Sequence, residues 1–93
     1  MSHREARGLV ERVVKDRLAV DLSSQEYDRL ADAVLRLRAA ARKLRTADDS
    51  PSGMAIRARE RDAMQRALTE IQTISGLQAS DLGEAFEGDG RRP

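Results

Sequence analysis

Between Leu35 and Arg45 the chain reads LRLRAAARKLR, five basic side chains and no acid in eleven residues. Guanidinium groups are planar forks of donors that match phosphate and carboxylate oxygens, so this run is suited to holding an anion or an acidic partner rather than to bond-making chemistry. Projected on a helix at about 100° per residue, its cations separate into two groups. Arg29, Arg36 and Lys43 fall opposite the apolar arc of the segment, and Asp32 precedes Arg36 by four residues in the favourable acid-first order, which marks a solvated face. Arg38, Arg42 and Arg45 instead follow an i, i+4, i+7 row along one edge of the arc, with Val34 and not an acid one turn before Arg38. These three are the candidate partner-binding residues. The competing account is structural: cations are favoured near the carbonyl end of a helix, and their stems cover the seam.

Two charges stand where the pattern calls for apolar residues. Arg17 projects into the arc of the first amphipathic segment, and Glu60 into that of the third, with Arg57 near its edge. The expectation is either that each lies near a helix end and reaches solvent, or that Glu60 pairs with Arg17 or Arg57 in a seam. Catalytic chemistry finds no footing. His3 is the one histidine and sits at the terminus, whereas a general base or metal ligand needs a fixed position and partners. Asp48 and Asp49 are adjacent in a loop and lack the further oxygen ligands of a calcium site, so they read as turn residues. No Gly-rich phosphate loop, nucleophile elbow or paired carboxylates occur, and neither an enzyme, nor a metal site, nor a cofactor is expected.

The elements that must position these residues are helical. Ala6, Leu9, Val10, Val13, Val14 and Leu18 share one side of a helix running from Arg4 to about Ala19, although β-branched content leaves a strand open for Leu18 to Leu22. Ser23 and Glu26 form a capping-box pattern that starts a second helix near Ser24. There Tyr27, Leu30, Val34, Leu37, Ala41 and Leu44 keep 3–4 spacing to Arg45, widened by Ala33 and Ala40. TADDSPSG, Thr46 to Gly53, breaks that helix and fits a connection between antiparallel neighbours. A third helix should run from about Ser52 or Met54 to Ser75, with Ile56, Ala63, Met64, Ala67, Leu68, Ile71 and Ile74 inward and Gly76 as its stop. Leu77, Leu82 and Phe86 then form a short cap over the bundle end, and residues 88–93 read as a disordered tail after a single domain of residues 1–87.

A chain of 93 residues has a thin core, since fourteen of its apolar residues are Ala and only Tyr27 and Phe86 are aromatic. Without cysteine, long helices or self-association must supply the stability. The fold class is therefore all-α: a long antiparallel hairpin from Ser24 to Ser75, a preceding helix and a short C-terminal cap, assembling into an oligomeric bundle. MSHREARG leads into no apolar run long enough for a signal peptide or membrane span, so a cytoplasmic protein without membrane contact is expected. Fifteen of the seventeen basic residues are Arg, a bias that GC-rich genomes also produce, and the net charge of +1 gives no long-range field for steering toward nucleic acid.

These features favour a small non-enzymatic interaction protein of a bacterium or its phage, binding or inhibiting a protein partner. In size and layout, Leu22 to Ile74 resembles the helical hairpin proteins with which phages sequester cyclic nucleotide signals. That resemblance implies an oligomeric pocket for an anionic nucleotide. Within MAIRARERDAMQRAL, Met54 to Leu68, guanidinium chemistry makes Arg57, Arg61 and Arg66 the candidate phosphate contacts. DNA is a weaker expectation: a helix-turn-helix built on Ile71, Gly76, Leu77 and Leu82 would present Asp81, Glu84 and Glu87 to a phosphate backbone, and two aromatics give single strands no stacking platform.

Overall fold

In the computed structural model, which describes residues 1–18 and 21–82, the chain is all-helical. Helix α1 spans His3–Arg17, α2 Ser24–Thr46 and α3 Pro51–Ser75, followed by a 3-10 turn over Ala79–Leu82. Each helix begins at a serine. Ser2 and Ser23 both make complete capping boxes: each hydroxyl accepts the amide of Glu5 or Glu26, and that glutamate's carboxylate accepts the serine's own amide. Ser50 caps α3 by accepting from Gly53 N at 3.0 Å. With Pro51 at the first helical position, where its missing N–H costs nothing, α3 starts one residue ahead of Ser52 and three ahead of Met54, the two expected starts, and leaves only Ala47–Ser50 as the connection. Gly76 ends α3 in the left-handed region at φ 82°, as expected.

Helix α2 is central. Its arc of Leu30, Ala33, Leu37 and Ala40 faces α3, while Tyr27, Ala31 and Val34 on the adjoining flank are buried as well. Helix α1 lies on that second flank and runs antiparallel to α2: His3 reaches Asp28 and Asp32, and Arg7 reaches Ser24 and Asp28. It contributes Ala6, Leu9, Val10, Val13 and Val14 to the core and ends at Arg17, short of Ala19. Leu77 and Leu82 are buried, closing the end of the bundle. Phe86, the expected domain limit at 87 and the tail from 88 lie outside the described residues, as do Ala19 and Val20 from the stretch left open as a strand.

The core is concentrated at one end of the hairpin. From α3, only Ala67 and Ile71 are buried apolar residues, whereas Ile56, Ala63, Met64, Leu68 and Ile74 are half-buried. Helix α1 has 15 residues against 23 and 25 in the hairpin, so at about 1.5 Å per residue it is over 10 Å too short to cover both arms. Met1 and Met54 are the exposed large hydrophobics among the described residues. Helix α1 thus covers the apolar arcs at one end of the hairpin, and the half-buried apolar residues of α3 extend beyond it.

Candidate interaction surface

The face of the hairpin beyond the amino end of α1 carries most of the singled-out arginines. The footprint of α1 on α2 includes Tyr27, Ala31 and Val34. Continuing that stripe in steps of four, seven and eleven residues reaches Arg38, Ala41, Arg42 and Arg45. The predicted row therefore extends the α1 contact stripe past the point where α1 stops. Arg38 is half-buried, and Arg42 and Arg45 are exposed. Arg38 and Arg42 border a shallow cavity of about 150 Å³ with Met1, Leu35 and Ala39. Both also engage polar or charged groups, which revises the view of the row as lacking any counter-group. Glu5, in the first turn of α1, lies within electrostatic reach of Arg38: its carboxyl is held below the usual range first by Ser2's backbone and hydroxyl hydrogen bonds, with smaller contributions from the terminal amine and Arg38.

Arg57, Arg61 and Arg66 do not form one cluster. Arg57 closes the connection between α2 and α3: Nη2 donates to the Ala47 carbonyl at 3.1 Å, and Nη1 lies 3.3 Å from Asp49 Oδ1. Arg61 is exposed beside Ala58, Asp62 and Gln65. Arg66 stands roughly 180° around α3 from Arg57 and pairs with Asp62 at 2.7 Å. Relative to Glu60 in the seam, Arg57 and Arg61 lie on the flank of α3 that includes Met64, away from the flank of Ala63 and Arg66. The chain therefore sets Arg57 and Arg61 across from Arg38, Arg42 and Arg45, with half-buried Ala41, Leu44 and Met64 along the seam between them.

The opposite face is a groove of about 300 Å³ lined by Arg36, Ala39, Ala40, Lys43, Glu60, Ala63 and Arg66. Glu60 is buried, its side chain only 9% exposed, with Arg59 Nε at 3.6 Å and Lys43 Nζ at 3.9 Å. The expected seam acid is present, but its partners are not those anticipated. Arg17 is at the last turn of α1, 62% exposed, 3.8 Å from Asp81, because α1 ends over the 3-10 turn. Arg57 is committed to the connection. Arg29, Arg36 and Lys43 are exposed, as expected of a solvated face, but their acids are on α3: Arg36 Nη2 donates to Glu70 Oε1 at 2.7 Å, and Arg29 lies 3.9 Å from Glu70 Oε2, so α2 and α3 are bridged across their rim. Asp32 turns instead to His3 Nδ1 at 3.3 Å, leaving its expected contact with Arg36 unmade.

Sequence reasoning missed the cluster that pins the start of α1. His3 Nε2 is 3.3 Å from Asp28 Oδ1, and Arg7 Nη1 donates to the same oxygen at 2.8 Å while its Nε donates to Glu11. The Asp28 carboxyl is held below its ordinary value, first by the His3 hydrogen bond and further by Arg7, against a desolvation contribution of opposite sign. The signal was available in the i, i+4 spacing of His3 with Arg7 and of Asp28 with Asp32, but pairing the two sets needs the α1–α2 register. Among the described residues, no three His, Cys, Asp or Glu side chains gather as a metal site, and no helix is long and apolar enough to cross a membrane. The chain matches no protein family, no curated protein and no solved structure.

Proposed function

We propose that the chain is a non-enzymatic interaction module, acting by occupying the surface of a protein partner with Arg38, Arg42 and Arg45 as its recognition edge. The observation that carries this reading is their placement in one row that continues the line of Tyr27, Ala31 and Val34 along α2, beside half-buried Ala41, Leu44 and Met64, with Arg42 and Arg45 exposed. Cations flanking a shallow apolar strip suit a protein surface better than a small molecule. The anionic-nucleotide reading gains less support, because Arg66 lies on the far flank of α3 and Arg57 is tied to the connection; it would need arginines from a second copy.

Native mass spectrometry on protein purified gently from its own host, with its absorbance spectrum, tests the reading. A co-purified protein that is lost from an Arg42→Glu/Arg45→Glu variant with unchanged helicity supports it, and the same spectra report whether copies of the chain associate. With one Tyr and no Trp, a bound nucleotide would stand out near 260 nm, and a small extra mass with that absorbance would move the assignment to nucleotide binding. Affinity for DNA falling steeply with salt would move it to nucleic acid.

A further inference from the structure

We infer that the groove around Glu60 binds a small anion that also carries a neutral pair of parallel N–H donors, the chemistry of a guanine nucleotide. The groove lies between α2 and α3, on the other flank of their seam from Arg38, Arg42 and Arg45, and it needs one copy of the chain alone. It therefore stands or falls independently of the interaction reading. Its volume of about 300 Å³ is at the small end of cavities that hold small ligands. Ala39, Ala40 and Ala63 line it with nothing larger than methyl groups, which leaves room for a flat ring against the helices.

The charges of the groove are unevenly satisfied. Arg36 and Arg66 each sit 2.7 Å from an acid, Glu70 and Asp62 respectively. Glu60 is buried, yet the cations beside it, Arg59 Nε at 3.6 Å and Lys43 Nζ at 3.9 Å, stand beyond hydrogen-bond reach on exposed side chains. A desolvated carboxylate without a close donor among the described residues is a cost to the fold, and a ligand that supplies the donors removes that cost. Two donors on one ligand edge would take both carboxylate oxygens and release Lys43 and Arg59 for other contacts.

The surrounding charge decides which donors fit. Arg36, Lys43, Arg59 and Arg66 outnumber Glu60, Asp62 and Glu70, so an ammonium or guanidinium ligand would add a cation to a surplus of cations. A neutral edge adds none. Guanine has such an edge: its ring N–H and 2-amino group point the same way and match the two oxygens of a carboxylate. Adenine would turn a ring lone pair toward the same acid. Lys43 then holds the phosphate, and the planar guanidinium of Arg59 covers the ring, where aromatic side chains are scarce. Pterins present the same edge with a carboxylate tail.

The test is calorimetric titration of the full chain with guanosine, inosine and adenosine monophosphates, folate and inorganic phosphate. Guanosine monophosphate should bind. Inosine monophosphate, which lacks the 2-amino donor, should bind about tenfold more weakly, and the adenosine nucleotide and inorganic phosphate should give no signal at the same concentrations. Glu60→Gln should lower affinity for the guanosine nucleotide about tenfold or more and turn the preference toward xanthosine monophosphate, whose 2-oxo group accepts from the new amide. A residue that only held the helices together would show no such exchange. Lys43→Ala, at an exposed position, should weaken the nucleotide and leave guanosine itself unaffected. Folate binding that is lost in Glu60→Gln sustains the inference with a pterin as the source of the edge. Equal affinity for guanosine and adenosine nucleotides, binding indifferent to Glu60→Gln and Lys43→Ala at unchanged circular dichroism, or no binding of either the guanosine nucleotide or folate at millimolar concentration overturns it.

Discussion

The two ends of the hairpin are built from different material. At the base, beside α1 and the 3-10 turn, α2 and α3 bury Leu30, Val34, Leu37, Ala67 and Ile71 together with four large residues of α1. At the tip, the buried residues of α3 are Gly53 and Glu60, neither of which supplies apolar area of any size, and the surroundings are arginines. The base is organised by the hydrophobic effect. The tip is held by local devices: the Ser50 cap, Asp48 accepting from the Ser50 amide and hydroxyl, and Arg57 on the Ala47 carbonyl. The short helix α1 thus divides one hairpin into an apolar half and a half rich in charge.

The sharpest way to break this comparison is to delete equivalent apolar groups at both ends. Ile71→Ala and Leu37→Ala remove fully buried side chains and should each cost about 2–5 kcal/mol in urea denaturation. Leu44→Ala, at a half-buried tip position, should cost about 1 kcal/mol, since the area lost is smaller and solvent can reach the gap. Equal losses at the two ends would mean that the tip is as much a part of the core as the base.

The tip has one position where packing is as strict as anywhere in the molecule. A methyl at Gly53 would collide with the Asp48 carbonyl oxygen and carboxylate. Replacing Gly by Ala within a helix ordinarily gains about 1 kcal/mol, but here Gly53→Ala should lose about 1–3 kcal/mol by displacing the connection. A thermal melt that rises instead would show that the connection can yield, and that the tip is softer than its hydrogen bonds imply.

Much of this division was legible in the sequence, and what escaped it shares one cause. The three helices, the Ser23–Glu26 box, the Gly76 stop and the inward arcs of α1 and α2 depend on neighbours a few residues apart. Periodicity reports these directly. It also found Glu60 as a charge in an apolar arc. It gave no access to partners on other helices: Glu70 beneath Arg36, Asp28 beside His3, or Asp81 near Arg17. Those depend on the registers of α2 on α3, of α1 on α2, and of α1 on the 3-10 turn. A projection of α3 alone already separates Arg66 from Arg57 and Arg61, whereas setting the latter two across from the Arg38 row needs the packing of α3 on α2.

Glu60 sharpens the comparison from the polar side. Its carboxylate takes a central inward position with cations at 3.6 and 3.9 Å, both on exposed and flexible side chains. A pair so loosely made returns little for the desolvation of the acid, and apolar replacement of buried ionic groups is often stabilising. Glu60→Leu should therefore raise stability by about 1 kcal/mol, or about 4–8 °C in Tm for a domain of this size. A lower Tm would show that the tip depends on this acid and that its seam is held by charge.

The smallest expected effect lies at the edge between the two halves, where Asp28 fastens the start of α1. Its carboxyl sits below the ordinary value of 3.8, and the first cause is the His3 hydrogen bond, with Arg7 adding to it. A carboxyl whose folded pKa is depressed binds its proton more weakly in the folded state than in the unfolded one. The stability it contributes is complete above the ordinary value and is lost as pH falls through the lower, folded value. Asp28→Asn should therefore flatten the acid limb of the stability profile below about pH 4 while leaving its shape from pH 5 to 7 nearly unchanged. Denaturant melts at closely spaced acidic pH values, run beside an Asp32→Asn control, read this difference. Glu5 and Glu26, depressed by their own capping bonds, remain in both variants and keep part of the slope. If the slope does not change in Asp28→Asn, the contact between His3 and Asp28 contributes nothing to holding α1 in place. The boundary of the arginine-bearing face would then be set by the apolar side of α1 alone.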